Sequence, residues 1–421
     1  MTKHQGFRRW QEDPIRAGLL RIRVLLLEGP RQCGKTTLAK RISESQDVRG
    51  VYRTLDDLTL LNAALDDPHG FVAHGDELMV IDEVQRAPQL LTAVKKEVDE
   101  NQKPGRFLLT GSANIMTLPK VTESLAGRVR KVRLRPLALG EIERLNPSFL
   151  DFGRAGGWRD PAEATAPLTK DSYLERALAG GYPEAVRLTG VRARRQWHMD
   201  YLSALMDRDL KDVANIRRKD NLFKLVEVLA AWSSKFMDVT AISAALGVSR
   251  PTLETYINAL ETLYLVDRVK PWSKTDYARV GKLDKLYMAD TGLMSAILNW
   301  SFEKVRLDGS LNGKLIETLI YTQMSALLES QDENYRLYHY RDREQREVDF
   351  IIEAEDDSLI GVEVKAGSHV EPRDFRHLKW FRENLAHDRP FQGLVLYTGE
   401  HVASFGPQMW AVPMSKIFGA Q

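Results

Sequence analysis

At 421 residues the chain has room for about two to four domains, each able to bury a core. Its 60 Lys and Arg against 58 Asp and Glu leave a net charge of +2, so nucleic acid cannot be inferred from overall charge and any footprint has to come from local clusters. A single cysteine excludes an internal disulfide framework and a thiolate zinc site, and no apolar run approaches the ~20 residues that span a bilayer. The polar, basic stretch Met1 to Trp10 lacks the apolar segment of a signal peptide, so a cytoplasmic protein without a membrane partner is expected.

The first third of the chain is arranged around Gly29-Pro30-Arg31-Gln32-Cys33-Gly34-Lys35-Thr36, followed by Thr37, which fits the P-loop pattern G-x-x-x-x-G-K-[ST]. The apolar run Val24 to Leu27 reads as a buried parallel strand entering the loop, and Thr37 to Ile42 as a helix leaving it. Backbone N–H groups of such a loop form an anion nest at the positive end of the helix. Lys35 would reach the outer phosphates and the Thr36 hydroxyl would complete a Mg²⁺ shell, so the expected ligands are ATP and Mg²⁺. Cys33 sits inside this loop, where the helix N-terminus, Lys35 and Arg31 favour a reactive thiolate; the alternative is a small buried hydrophobe.

Onward to about Leu145, strand-like and helical runs alternate, which implies a parallel sheet covered by helices. Glu77 to Glu83 form an apolar strand ending in two acids. Asp82 would hold Mg²⁺ and Glu83 would act as the general base on the attacking water. The next strand, Arg106 to Thr110, runs into Gly111-Ser112-Ala113-Asn114, and Thr110, Ser112 or Asn114 could touch the γ-phosphate or the water. Lys131, Arg133 and Arg135 alternate with Val132 and Leu134, which gives one cationic strand face. Arg128, directly after Gly127, is a candidate arginine finger on a neighbouring subunit's γ-phosphate, or else a solvated charge. The order of P-loop, Ile-Asp-Glu, Thr-Gly-Ser and Gly-Arg resembles the AAA-type ATPases. It looks like one prokaryotic group of ATP-binding proteins with a C-terminal domain of unknown function.

Residues 146–169 carry Gly156-Gly157 and three prolines with little periodicity and read as a linker, followed by a helical lid. Val239 to Ser249 has the shape of a helix-turn-helix: a short apolar helix stops at Gly247 and Ser249 caps the next. The outline resembles a winged helix. Its second helix offers Arg250 against Glu254 and Glu261, too few donors for base readout. Arg268, Lys270, Lys274, Arg279, Lys282 and Lys285 make the wing the cationic part, suited to phosphate-backbone contact; a protein-contact role is the alternative.

After Leu311 a second chemistry emerges. A helix from about Leu315 carries Glu317, a strand carries Asp349, and the next strand carries Glu363 and Lys365 on one face, in an α-β-β-β-α-β order. Asp followed by Glu-x-Lys on the next strand resembles the restriction-endonuclease-like nucleases. By that resemblance Asp349 and Glu363 would bind Mg²⁺, Glu317 would supplement them and Lys365 would activate the water. Such folds also bind DNA without cutting it.

The expected fold class is α/β: an AAA-type P-loop ATPase core (1–145), linker and helical lid (146–220), winged helix (221–290) and a mixed-sheet restriction-endonuclease-like domain (291–421). The expected function is a Mg²⁺-dependent ATPase acting on DNA as a homo-oligomer, with branched or broken DNA as the substrate class suggested by the domain combination. The alternative is a regulatory ATPase whose winged helix and nuclease-like domain are binding modules.

Overall fold

The computed structural model describes residues 6–45, 50–111, 127–150, 158, 168–213, 219–274 and 283–419. Two compact units emerge: Met1–Pro136 with Thr262–Tyr264, and Leu137–Glu261 with Leu265–Gln421.

The first unit runs α1 (Glu12–Leu19), β1 (Val24–Glu28), α2 (Lys35–Ser43), β2 (Gly50–Thr54), α3 (Leu58–Asp66), α4 (Pro68–Val72), β3 (Leu78–Asp82), α5 (Leu90–Glu100), β4 (Phe107–Gly111) and β5 (Val129–Arg133). These strands form a parallel sheet in the order β2-β3-β4-β1-β5. Strands β1, β3 and β4 are buried throughout, as their continuous apolar runs require when both faces are covered. Alternation along β1 divides its side chains between two cores. Leu25 and Leu27 join Ile15, Leu38 and Ile42 on one face, while Val24 and Leu26 join Ile81, Val94 and Leu109 on the other. All strands end on the same side, so Glu28, Asp82 and Gly111 mark one rim of the sheet. The expected cationic face on β5 is interrupted: Lys131 is exposed, but Arg133 is half-buried and Arg135 buried.

The second unit opens with helices α6 (Leu139–Glu143), α7 (Lys170–Ala179), α8 (Pro183–Arg187), α9 (Val191–Val213) and α10 (Lys219–Trp232). Next come β6 (Lys235–Phe236), α11 (Val239–Leu246), α12 (Arg250–Thr262), β7 (Val266–Pro271) and β8 (Lys285–Met288). Helix α11 starts on the Asp238 carboxylate, which accepts from the Ala241 N–H at 2.9 Å, and stops at Gly247, whose φ of +64° suits glycine. The chain continues through α13 (Thr291–Ile297), α14 (Phe302–Leu307), α15 (Gly309–Glu329), β9 (Arg336–Arg341), β10 (Glu347–Glu353), β11 (Leu359–Lys365), α16 (Arg376–Asn384), β12 (Phe391–Tyr397), β13 (Ala403–Ser404) and β14 (Met409–Pro413). Helix α15 starts at Gly309, earlier than the apolar pattern suggests, because Asp308 accepts from the N–H groups of Ser310 and Leu311.

Among the described residues, the strands of this unit form one mixed sheet in the order β13-β14-β12-β11-β10-β9-β7-β8-β6. It runs unbroken across residue 290, where a domain boundary was expected. Strand β7 makes the join by changing partners: Val266 to Val269 pair antiparallel with β8, whereas Lys270 and Pro271 pair in parallel with β9. Among the described residues, no helix is long and apolar enough to cross a membrane.

Candidate active site

The P-loop leaves the buried end of β1 and returns into α2. Gly29 has φ +153°, and a Cβ there would lie 2.2 Å from the Leu134 carbonyl oxygen, so only glycine fits. Gln32 and Gly34 have φ of +60° and +101°, the alternation that turns successive N–H groups toward one side. Gly34 offers no side chain to cap α2, which leaves its first N–H groups for an anion. Arg31, Gln32 and Thr37 lie on the exposed side, whereas Gly29, Pro30 and Cys33 are buried. The Lys35 ammonium, itself buried, donates to the carbonyls of Gly29 at 3.0 Å and Pro30 at 2.7 Å. Its partners are neutral, so its charge is not neutralised within the loop.

Asp82, at the tip of β3, collects three side-chain donors. The Thr36 hydroxyl lies 2.9 and 3.2 Å from its two oxygens, the Tyr52 hydroxyl donates at 2.6 Å, and Thr110 donates as well. Burial, then the hydrogen bond to Asp82, pushes the Tyr52 phenol up, so it stays a protonated donor. A hydroxyl and a carboxylate this close are hard oxygen ligands and fit a Mg²⁺ ion held together with nucleotide phosphate. Glu83 follows in the left-handed region at φ +61°, uncommon for a side-chain-bearing residue, with its N–H bound to the Thr110 hydroxyl at 3.1 Å. Gln85 donates to the Glu83 carboxylate. Of the three strand-tip polar residues considered, Thr110 is placed with Asp82; Ser112 and Asn114 lie outside the described residues.

Arg9 and Tyr52 are participants that the sequence reading did not single out. The Arg9 guanidinium, from the segment before α1, donates to the carbonyls of Cys33 and Arg135, both at 2.7 Å, and so pins the P-loop to the end of β5. Neither residue belongs to a local motif; both come from distant sequence. Cys33 points into the core beside Ile15, Leu25 and Leu38 at 0% exposure, so the buried-hydrophobe reading holds rather than the reactive thiol.

Arg128 precedes β5 at the opposite rim. Val129 pairs with Val24, the first residue of β1, while the P-loop follows Glu28, which pairs with Arg133. At ~3.3 Å per residue the four steps between the two ends span about 13 Å, which sets Arg128 away from this chain's own P-loop. Here it forms a bidentate pair with Asp99, at 2.6 and 3.1 Å.

In the second unit the structure brings Glu317, Asp349 and Glu363 together, as the sequence suggests, and adds two residues. Glu347 is one. The other is Lys285, expected as a surface cation of the wing; it is instead buried at 1% exposure, because its strand, Lys-Leu-Tyr-Met, is buried at every position. Its ammonium lies 2.8 Å from Glu317, 2.8 Å from Glu347 and 3.3 Å from Asp349. Tyr287, two residues on and on the same strand face, donates to Glu317 at 2.7 Å. Burial alone would lower the Lys285 pKa, but Glu317, followed by its other neighbours, holds it well above the ordinary value. Burial raises Glu317 to about 7 against the pull of Lys285. Burial, then the charge of Asp349, raises Glu363 well above the usual range. Lys365 sits 3.8 Å from Glu363 and is partly exposed. The second oxygen of Asp349 accepts from the Val364 N–H at 2.9 Å, helped by a register shift between Val348 and Ile351 that re-aims the residue.

The wing is also less cationic than its sequence. Arg268 is tied to α12 through Glu254 at 3.2 Å, Asn258 at 2.7 Å and Glu261. Arg250, Lys270 and Lys274 are exposed; Arg279 and Lys282 lie outside the described residues.

Comparison with known proteins gives three matched segments along the chain. The AAA domain family matches residues 21–143, a domain of unknown function (DUF8612) matches 170–304, and another (DUF4143) matches 312–417. Over 405 residues the chain is 27% identical to uncharacterised proteins of Mycobacterium bovis and Mycobacterium tuberculosis, covering 96% of this chain and 82% of each relative. Among solved structures it is similar to the Walker-type ATPase PABY2304 of Pyrococcus abyssi, at 13% identity and TM-score 0.40, over 70% of this chain and 97% of that one. AMPPCP-bound DnaA from Aquifex aeolicus is another, at 11% identity and TM-score 0.30, over 59% and 86%. With the P-loop, Asp82 and Thr110 in place on a parallel sheet, the chain carries an AAA-type P-loop ATPase core, followed by a mixed-sheet C-terminal domain that matches a domain of unknown function.

Proposed function

We propose that this chain is a Mg²⁺-dependent ATPase that acts on DNA, using ATP to drive binding, remodelling or movement. The observation that carries the ATPase is the convergence of Thr36, Tyr52 and Thr110 on Asp82, beside a Lys35 ammonium whose partners are only backbone carbonyls. The nest from Gly29 to Thr37 binds the phosphates and Lys35 exchanges its carbonyl partners for phosphate oxygens. Thr36 and Asp82 would hold Mg²⁺, which supplies charge neutralisation on the phosphates when bound. Glu83, placed one residue beyond, accepts a proton from the attacking water, and Thr110 fixes the positions of both acids through Asp82 and the Glu83 N–H. Arg128 would complete the site on an adjacent copy of a homo-oligomer, after leaving Asp99.

The DNA part rests on the helix-turn-helix outline of α11 and α12 with exposed Arg250, Lys270 and Lys274, which suits phosphate-backbone contact. Steady-state ATP hydrolysis with and without duplex, single-stranded and branched DNA, beside DNA binding across a salt series, tests it. Stimulated hydrolysis and binding that weakens with salt are expected. Equal turnover in all cases without salt-dependent binding would remove DNA and leave a regulatory ATPase. That second reading is favoured by one observation: Arg268 is consumed by the acids of α12.

A further inference from the structure

The nuclease-like outline of the second unit implies a divalent cation between Asp349 and Glu363, and the side chains present do not fit one. Lys285 fills the middle of the cluster. Its ammonium sits between the inward oxygens of Glu317, Glu347 and Asp349. The remaining oxygen of Asp349 is engaged by the Val364 N–H, and the Glu317 oxygen also accepts from Tyr287. Among the described residues, no three or more His, Cys, Asp or Glu side chains are grouped to hold a metal ion.

We infer that Lys285 is the built-in cation of this carboxylate cluster, so that the C-terminal domain takes no divalent metal there and does not cut DNA. Three features carry this. First, a Mg²⁺ ion needs oxygens at about 2.0–2.1 Å on all sides, and it would have to share the cluster with an ammonium of like charge. Second, Lys285 cannot swing aside with its backbone. It lies on β8 between two partners, opposite Phe236 of β6 and Val269 of β7, and its ammonium is 5.5 Å from the Phe236 ring centroid. Third, the cluster already has its own cations. Lys285 lies against Glu317, Glu347 and Asp349, and the Lys365 ammonium is 3.8 Å from Glu363. The ion pairs tie β8, α15 and β10 together. The inference does not depend on whether DNA is the partner.

Mn²⁺ titration of the nucleotide-free full chain, followed by electron paramagnetic resonance, tests it. Wild type and Asp349→Asn should bind the same number of Mn²⁺ ions, since any ion at the P-loop is common to both. Lys285→Met should gain one Mn²⁺ per chain, and Lys285→Met combined with Asp349→Asn should lose it again. A wild-type site abolished by Asp349→Asn would overturn the inference. So would Mg²⁺- or Mn²⁺-dependent DNA cleavage that Asp349→Asn removes, or a folded Lys285→Met that gains no ion. Should Lys285→Met not fold, the comparison of wild type with Asp349→Asn still decides, with Glu363→Gln as a second check.

Discussion

Among the described residues, each unit carries a buried lysine in the region of its candidate site, and the lysines make the two sites opposites. At the P-loop, Lys35 is held by the carbonyls of Gly29 and Pro30, while Asp82 is held by hydroxyls. In the second unit, Lys285 is held by three carboxylates. In the first, the positive charge and the carboxylate are kept apart and both remain available to a charged ligand. In the second, they satisfy each other. Motif chemistry alone does not separate a site that receives a ligand from one completed within the fold; the partner of the cation does.

Substitution of the two lysines is the sharpest way to break the comparison. Lys35→Ala should weaken ATP binding by roughly 100-fold or more while leaving the fold near wild-type stability, because a charge-assisted phosphate contact is lost but no buried charge is stranded. Calorimetric ATP titration beside denaturant unfolding checks both halves. Lys285→Ala should do the reverse. It leaves buried carboxylates uncompensated and should cost about 3–5 kcal/mol of stability with ATP affinity unchanged. A loss below about 1 kcal/mol would show that the C-terminal cluster is solvated.

A smaller effect concerns pH. Glu317 has a folded pKa raised to about 7 from an ordinary 4.5, so the folded state binds the proton more tightly than the unfolded chain. Its contribution to stability is full below pH 4.5, declines as pH rises to about 7 and is level above. Glu317→Gln should remove that decline, a difference on the order of 1–3 kcal/mol across the window. A wild-type-minus-variant difference that stays flat from pH 4.5 to 7 would contradict the burial of this carboxyl. The smallest effect is expected at Cys33, which should resist alkylation in the native protein with or without ATP and label only on unfolding. Labelling of the native thiol that ATP suppresses would restore the reactive-thiol reading.

What was legible in the sequence follows from how local each feature is. The P-loop, the strand-end pair Asp82-Glu83 and the parallel sheet are written in contiguous residues, where loop, strand period and helix start all agree. Asp349 and Glu363 were legible from strand alternation and Glu317 from its helix and the nuclease resemblance, and the three do converge. Arg9 and Tyr52 were not, since their roles depend on carbonyl and carboxylate partners far along the chain. Lys285 lies among wing cations in the sequence, which hides its burial. The signal was present in Lys285-Leu286-Tyr287-Met288, a strand whose apolar positions on one face and tyrosine on the other leave a lysine no solvated side. Arg268 shows the same limit: its charge is legible, but its pairing with Glu254 and Glu261 is a product of tertiary structure.

The most direct test of the nucleotide site is ATP binding and turnover in Glu83→Gln, set against wild type under identical Mg²⁺ concentrations. ATP affinity should be retained, since the nest, Lys35 and Thr36 are untouched, while turnover should fall roughly 10²- to 10⁴-fold as the proton acceptor is lost. Wild-type turnover in Glu83→Gln would contradict the assignment of the general base and, with it, the chemistry built on the tip of β3.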